Sequence, residues 1–277
     1  MSKELSYEKK GYLESDFKLF HLKENMQRSI DFHYHDFHKI LLFLQGDISY
    51  SIEGKSYLLQ PMDLVLIKAG EIHRPVIHSD QTYERIILYV SPAFINTYRT
   101  EDCNLEQCFI HTGSSSHVLR IPSLKNKKLF QTFHDLEKAL NEQDFAQDLN
   151  RRVLFLQLMI LLNRAFAGRE PKYIETNSSN EKILEIIRYL NEHLQENISI
   201  DDLAGHFYIS KYYLMHTFKE ETGYSIGSYL STKRLLLARE AIQNGISATD
   251  ACYECGFRNY STFFRAYKKC FGKSPTS

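Results

Sequence analysis

From Ile198 to Lys273 apolar positions recur with helical spacing, and the whole pattern occurs twice. Laid over itself at an offset of 49 residues, Leu214, Phe218, Lys219 and Gly223 fall on Phe263, Tyr267, Lys268 and Gly272, and Ser210 falls on Asn259. Each unit reads as a short helix, a tight turn and a second helix. Ile200, Leu203 and Ala204 form the stripe of the first helix, Ser210 is placed to cap the second, and Gly223 to end it in the left-handed conformation. The prediction is two helix-turn-helix units, over 200–221 and 248–270. At about 100° per residue Leu214, Thr217 and Phe218 share one face of the first unit's second helix, and Tyr212, Met215, His216 and Lys219 the other. In unit two Phe263, Ala266 and Tyr267 turn inward, while Ser261, Phe264, Arg265 and Lys268 turn outward. A polar outer face on one amphipathic helix is ordinarily just solvated; its repetition points to a reading surface.

A third helical run, Ile226 to Asn244, joins the units and stops at Asn244-Gly245. It spans roughly 28 Å at about 1.5 Å per residue. Successive major-groove faces lie about 34 Å apart, so such a connector lets one chain reach two of them.

Upstream the period shortens to that of strands. After a polar lead of about thirty residues, Ile40 to Leu44, Ile48 to Ile52, Tyr57 to Leu59, Leu64 to Ile67 and Glu84 to Val90 alternate with turns at Gly46-Asp47, Glu53-Gly54-Lys55 and Pro61-Met62-Asp63. Many short strands at close spacing mean a β-barrel or sandwich. The stretch from Ser91 to Pro122 has weak periodicity, with a loop expected at Gly113 to Ser116. Two amphipathic helices follow, Lys128 to Glu142 and Gln147 to Ala167. The second, with Leu149, Val153, Leu156 and Ile160 on one stripe and Leu154, Leu158, Leu161 and Leu162 beside it, carries more apolar surface than one barrel face covers. Gly168 to Asn180 reads as a linker, and Glu181 to Gln195 as a helix opening the second domain. The expected domains are therefore 1–167 and 181–277, joined by 168–180.

Composition allows two globular domains: 277 residues, 43% hydrophobic and 25% charged. The net charge of zero gives no overall sign of a nucleic-acid partner, but the stretch 211–273 has a local basic excess. There Lys211, Lys219, Lys233, Arg234, Arg239, Arg258, Arg265, Lys268, Lys269 and Lys273 face Glu220, Glu221, Glu240, Asp250 and Glu254. Five cysteines without framework spacing suit reduced thiols in a cytoplasmic protein, and Cys252-x-x-Cys255 lacks the second pair that a zinc site needs. Met1 to Gly11 has no signal-peptide core, and the most apolar run, Leu154 to Leu162, is too short to span a membrane.

Together, Ile200-x-x-Leu203-Ala204, Ser210-x-x-x-Leu214-x-x-x-Phe218-Lys219-x-x-x-Gly223, Tyr229 with Arg234, Gly256-Phe257, and Phe263-x-x-x-Tyr267-Lys268-x-x-x-Gly272-x-Ser274-Pro275 resemble the DNA-binding domain of the AraC/XylS family of bacterial transcription regulators. The chain departs from that pattern at Ala248, Ala251 and Cys252, where larger aliphatics are usual, so a looser second unit is expected. The resemblance implies double-stranded DNA as partner, with RNA polymerase as a further candidate. The residues expected at the DNA are Lys211, Tyr212, Met215, His216 and Lys219 in unit one, and Arg258, Asn259, Tyr260, Ser261, Phe264, Arg265 and Lys268 in unit two. Arg265 is the candidate for a guanine edge, since its guanidinium donates two parallel hydrogen bonds; Lys219 and Lys268 are candidates for backbone phosphates.

The His33-x-His35 pair and His73 after the Gly70 turn resemble a cupin barrel, where such histidines and a glutamate four residues on hold a metal. Here Lys39 stands at the glutamate position, which argues against a hard divalent site and leaves two readings, three imidazoles holding zinc or a pocket lining. The family resemblance implies a small-molecule effector inside the barrel. His33, His35, Tyr50, Tyr57 and His73 are the pocket candidates, with no cofactor and no catalytic residue expected. It also implies a homodimer through helices at about 128–167. The fold class is thus an all-β cupin-like barrel with dimerisation helices, followed by an all-α domain with two helix-turn-helix units. The function is that of an effector-controlled transcription regulator. Two other readings stand beside it, a metal-dependent cupin enzyme with a fused control domain and a helical module that binds protein.

Overall fold

The computed structural model describes residues 13–25, 30–114, 116–120, 127–167, 172–173 and 180–276. Among the described residues nine strands form two sheets. The larger has the order β1-β7-β2-β5-β8-β9, built from β1 (Phe17–Glu24), β7 (Tyr83–Val90), β2 (His38–Gln45), β5 (Asp63–Ile67), β8 (Val118–Arg120) and β9 (Lys172–Tyr173). The smaller has the order β4-β3-β6, from β4 (Lys55–Leu58), β3 (Ile48–Ile52) and β6 (His73–Ile77). All pairings are antiparallel. Glu53-Gly54 closes β3 onto β4 with φ of 47° and 79°, the signature of a two-residue primed turn.

Side-chain parity on the central strands separates two cores. Leu41 and Phe43 of β2 and Ile87 of β7 face the barrel interior with Ile48, Tyr50, Ile52, Tyr57, Val65, Ile67 and Val118. Ile40, Leu42, Ile86, Leu88 and Val90 face the opposite way, onto helices. Those helices are α1 (Pro92–Asn96), α2 (Gln107–Ser114), α3 (Lys127–Asn141) and α4 (Gln147–Ala167). Both faces of β2 are covered, which is why it reads as an unbroken apolar run.

Several expectations need correction. The lead before the barrel contains β1, whose edge position leaves it half-exposed and only weakly patterned. β6 escaped notice because Pro75 interrupts it, tolerated because β6 is an edge strand. The loop expected at Gly113 to Ser116 begins inside α2. Within the expected linker Lys172 and Tyr173 pair with β8, and the rest of it up to 179 lies outside the described residues.

The second half is helical: α5 (Glu181–Glu192), α6 (Ile200–His206), α7 (Lys211–Thr222), α8 (Ile226–Gln243), α9 (Ala248–Glu254) and α10 (Tyr260–Phe271). Every one begins at an asparagine or serine whose side chain accepts from a backbone N–H of the first turn: Asn180, Ser199, Ser210, Ser225, Ser247 and Asn259. The repeat extends to the caps, since Ser199 pairs with Asp202 at 2.5 Å as Ser247 pairs with Asp250 at 2.6 Å. Gly223 and Gly272 end α7 and α10 in the left-handed conformation, with φ of 74° and 70°. Leu203, Leu214, Phe218 and Tyr229 make the core of unit one, and Leu235, Ala238, Ala251, Cys252, Phe263 and Tyr267 that of unit two. Ala251 and Cys252, expected to anchor weakly, are fully buried there. Among the described residues no helix is long and apolar enough to cross a membrane.

Candidate nucleic-acid interface and barrel cluster

On α7 the inward positions Leu214 and Phe218 are fully buried, while Lys211, Tyr212, Met215, His216 and Lys219 are exposed. Tyr212 stacks on His216 with ring centroids 5.8 Å apart, and Lys211 is paired with Asp201. On α10 Phe263 and Tyr267 are buried, and Ser261, Arg265 and Lys268 are exposed, as is Arg258 just before the helix. Arg265 donates from Nε to the Ser261 carbonyl at 3.3 Å, leaving its terminal nitrogens outward. Two candidates are partly committed elsewhere. Asn259 spends its side-chain oxygen capping Thr262 N at 3.0 Å, and Tyr260 and Phe264 are half-buried, with Tyr260 packed on Phe263 at 5.8 Å.

Three cations counted toward phosphate contact are used inside the protein, which lowers the local basic excess. Lys233 donates to Glu53 Oε1 at 2.8 Å and to the Gly70 carbonyl at 3.1 Å. Arg239 pairs with Asp36. Arg234 donates to the carbonyls of Leu194 at 2.6 Å and Glu196 at 2.7 Å, closing the end of α5. Lys233 and Arg239 therefore fasten α8 to the barrel, and nothing local in the sequence marks them for it.

Within the barrel His33 and His73 exchange both backbone hydrogen bonds, at 3.1 and 2.9 Å, so their side chains share a face, and His35, two residues on, joins them. The ring centroids are 4.5 Å (His33 to His73), 5.0 Å (His35 to His73) and 5.1 Å (His33 to His35) apart. Tyr50 stacks beyond His73 at 6.2 Å and accepts from Lys39 Nζ at 2.8 Å. Tyr57, the register partner of Tyr50, is also buried, but its hydroxyl meets His117 Nδ1 at 3.1 Å and not the histidine cluster. His38 and His78 are outside the cluster: His38 stacks on Phe109 of α2 at 4.3 Å, and His78 meets Ser49 at 2.9 Å. Residues without a pocket role in the sequence reading complete this interior, since the parity of β7 brings Arg85 and Tyr89 in beside Lys39 and His35.

Electrostatics in the cluster follow from burial. Desolvation, with Arg85 adding, draws the Lys39 ammonium down to about 7. Desolvation, then the charge of Lys39 and of the other two imidazoles, holds His73 well below the ordinary histidine range. The Nδ1 atoms of His33 and His73 lie 2.8 and 2.9 Å from the carbonyls of Asp31 and Glu71. A carbonyl can only accept, so each Nδ1 carries a hydrogen, which in the neutral His73 ring leaves the lone pair on Nε2. Nε2 of His73 is buried with no hydrogen-bond partner among the described residues. The metal that a cupin barrel implies would be held by His33, His35 and His73, each able to bring one nitrogen within 4.8 Å of the others. Lys39 removes the carboxylate of that set, so a hard, oxygen-seeking cation does not fit, and an imidazole-preferring one does.

A β-barrel docked on a pair of helix-turn-helix units is the architecture of a two-domain transcription regulator. Residues 19–159 match the AraC-like ligand binding domain and residues 203–277 the helix-turn-helix domain family; the chain belongs to the AraC family and is a DNA-binding transcription regulator. It is 26% identical over 245 residues to the HTH-type transcriptional activator RhaS of Citrobacter koseri, covering 88% of this chain and 85% of that one. It is likewise 26% identical over 251 residues to RhaS of Escherichia fergusonii, with the same coverage. Among solved structures, apo ToxT from Vibrio cholerae aligns over 95% of this chain and 96% of that one, at 14% identity and a TM-score of 0.38. The RhaS relatives are named transcriptional activators and not enzymes, and the helix-turn-helix match agrees with them against the cupin-enzyme reading.

Proposed function

We propose that the chain binds duplex DNA as a homodimer, that α7 and α10 of each protomer enter successive major grooves, and that a ligand held by the barrel sets how the two domains dock. The observation that carries the reading is the matched phase of the two helices. Leu214 and Phe218 are sealed inward while Tyr212, Met215, His216 and Lys219 are bare, and Phe263 and Tyr267 are sealed while Ser261, Arg265 and Lys268 are bare. On this reading Arg265 meets a guanine edge, Met215 and the open edge of Phe264 offer apolar contact to thymine methyls, and Lys219, Lys268 and Arg258 meet phosphates. The dimer is supported by α4, where Leu149, Val153 and Ile160 are 64%, 51% and 40% exposed along one stripe beside a groove lined by Lys128, Leu156 and Arg164. RhaS relatives are named activators, so activation through contact with RNA polymerase is the expected output.

Footprinting on duplexes selected from a random-sequence pool tests the reading. Two protected stretches per protomer, about one helical turn apart on one face of the duplex, are expected. Failure to retain any duplex at low salt would refute it.

A further inference from the structure

We propose that His33, His35 and His73 bind one divalent transition-metal ion of the zinc type, and that the segment 32–36 relays its occupancy to the DNA-binding domain. The relay rests on the regulator reading above; the metal site does not.

The site is already prepared in its tautomers. Backbone carbonyls of Asp31 and Glu71 take the Nδ1 hydrogens of His33 and His73, and one nitrogen of each of the three imidazoles lies within 4.8 Å of the others. His73 Nε2 is buried and unpaired among the described residues, an arrangement that costs free energy unless something accepts the lone pair. A single ion needs no ligand-sized cavity. Three imidazoles without a carboxylate favour zinc, cobalt, nickel or copper over magnesium, calcium or manganese, and leave a fourth coordination position open.

The same short segment touches the other domain through its alternate residues. His33 and His35 point into the cluster; Phe32, Tyr34 and Asp36 point away, as period-two alternation requires. Phe32 packs on the α7 cap at Gly223, so closely that a β-carbon there would overlap its side chain. The Tyr34 hydroxyl lies 3.1 Å from Cys270 Sγ on α10, and Asp36 pairs with Arg239 on α8. One strand-like stretch thus reaches both recognition helices and their connector. Tetrahedral zinc with Zn–N of about 2.0–2.1 Å places its nitrogens about 3.4 Å apart. One nitrogen of each residue lies within 4.8 Å of the others, so an ion that gathers them closer would pull on the backbone at 33 and 35, with Tyr34 between them.

The test uses the tag-free full-length chain, stripped with chelator and titrated with cobalt(II), read by its visible absorption, and with zinc(II), read by calorimetry and elemental analysis. One ion per protomer is expected, with affinity falling at least about tenfold in His73→Ala and in His35→Ala. Circular dichroism checks that both variants fold, and Lys39→Glu, which restores a carboxylate, is expected to tighten binding. Stoichiometry below one ion in five protomers, or unchanged affinity in both histidine variants, overturns the site. Zinc should then change affinity for the tightest duplex from a random-sequence pool by at least about fivefold in the wild type. In Asp36→Asn that response should shrink while metal affinity stays the same. Metal bound with no change in DNA affinity overturns the relay. Loss of all duplex binding, with or without zinc, is instead the failure of the regulator reading, and leaves the cobalt titration to decide the site.

Discussion

Glu53, at the tip of the β3–β4 turn, accepts a hydrogen bond from Lys233 of α8 at 2.8 Å across 180 positions of sequence. Its other oxygen accepts from the Tyr229 hydroxyl at 2.7 Å, and Oε1 also accepts from Ile72 N at 2.7 Å. A non-glycine residue with φ of 47° is held in place by the partners its carboxylate collects. Both side chains of the pair are mostly buried, 14% and 10% exposed, so removing one strands the other. Glu53→Ala is expected to cost about 2–4 kcal/mol in urea unfolding. It should speed hydrogen exchange in α8 first, and the Glu53→Ala/Lys233→Met pair should recover part of the loss. Additive losses in that cycle would mean the pair does not couple the domains.

Arg265→Ala is expected to weaken binding to the selected duplex by about 1–3 kcal/mol and to relax preference at one base pair. Lys268→Ala should weaken all sequences alike and lower the salt dependence by about one phosphate. Titrations against a panel of site variants at several salt concentrations separate the two; the reverse pattern would exchange their roles.

At Gly256 φ is 88°, and a β-carbon would lie 2.8 Å from the Leu194 carbonyl oxygen and 2.9 Å from atoms of Gln195, all backbone. Gly256→Ala combines left-handed strain with a clash that no rotamer relieves, so a loss above about 2 kcal/mol is expected from denaturant unfolding. A change under half of that would show that the α5 end moves freely against unit two.

Val153→Glu on the exposed stripe of α4 is expected to leave the fold of the single chain intact by circular dichroism, because the position is half open there. Sedimentation is expected to show a dimer for the wild type and a monomer for the variant. An unchanged sedimentation coefficient would move the dimer contact elsewhere.

Lys39 titrates near about 10.4 in an unfolded chain and at about 7 when buried. The folded state therefore binds fewer protons between those values, and the opposition to folding grows as pH falls from about 10 toward 7 and is full below that. With chelator present, Lys39→Met should raise Tm more at pH 6 than at pH 9. The hydrogen bond lost by Tyr50 lowers both values alike, so equal shifts at the two pH values would refute the assignment.

Much of the helical half could be read from the chain because its signals are local. Ser210 and Gly223 cap α7, the bounds of α4 are Gln147–Ala167 as its periodicity indicates, and the inward and outward faces of α7 fall where the wheel puts them. The barrel was legible where strands are apolar on both faces, as in β2, and not where an edge position or Pro75 dilutes the pattern, as in β1 and β6. His33, His35, Tyr50 and His73 do converge; Tyr57 is diverted to His117. The docking of the two halves left no trace in spacing. Asp36 with Arg239 and Glu53 with Lys233 are ordinary surface charges until the fold brings them together, so Arg239 and Lys233 fall into the basic excess expected at DNA.

Alternate letters of β2 and β7 carry unrelated duties. Lys39, Leu41 and Phe43, with Arg85, Ile87 and Tyr89, shape the interior, whereas Ile40, Leu42, Ile86, Leu88 and Val90 hold the helical coat. Descendants of such a chain can exchange the first set for another chemistry without touching the scaffold that packs the helices, and a library built only on the odd-numbered positions of these two strands would vary the interior while sparing that coat.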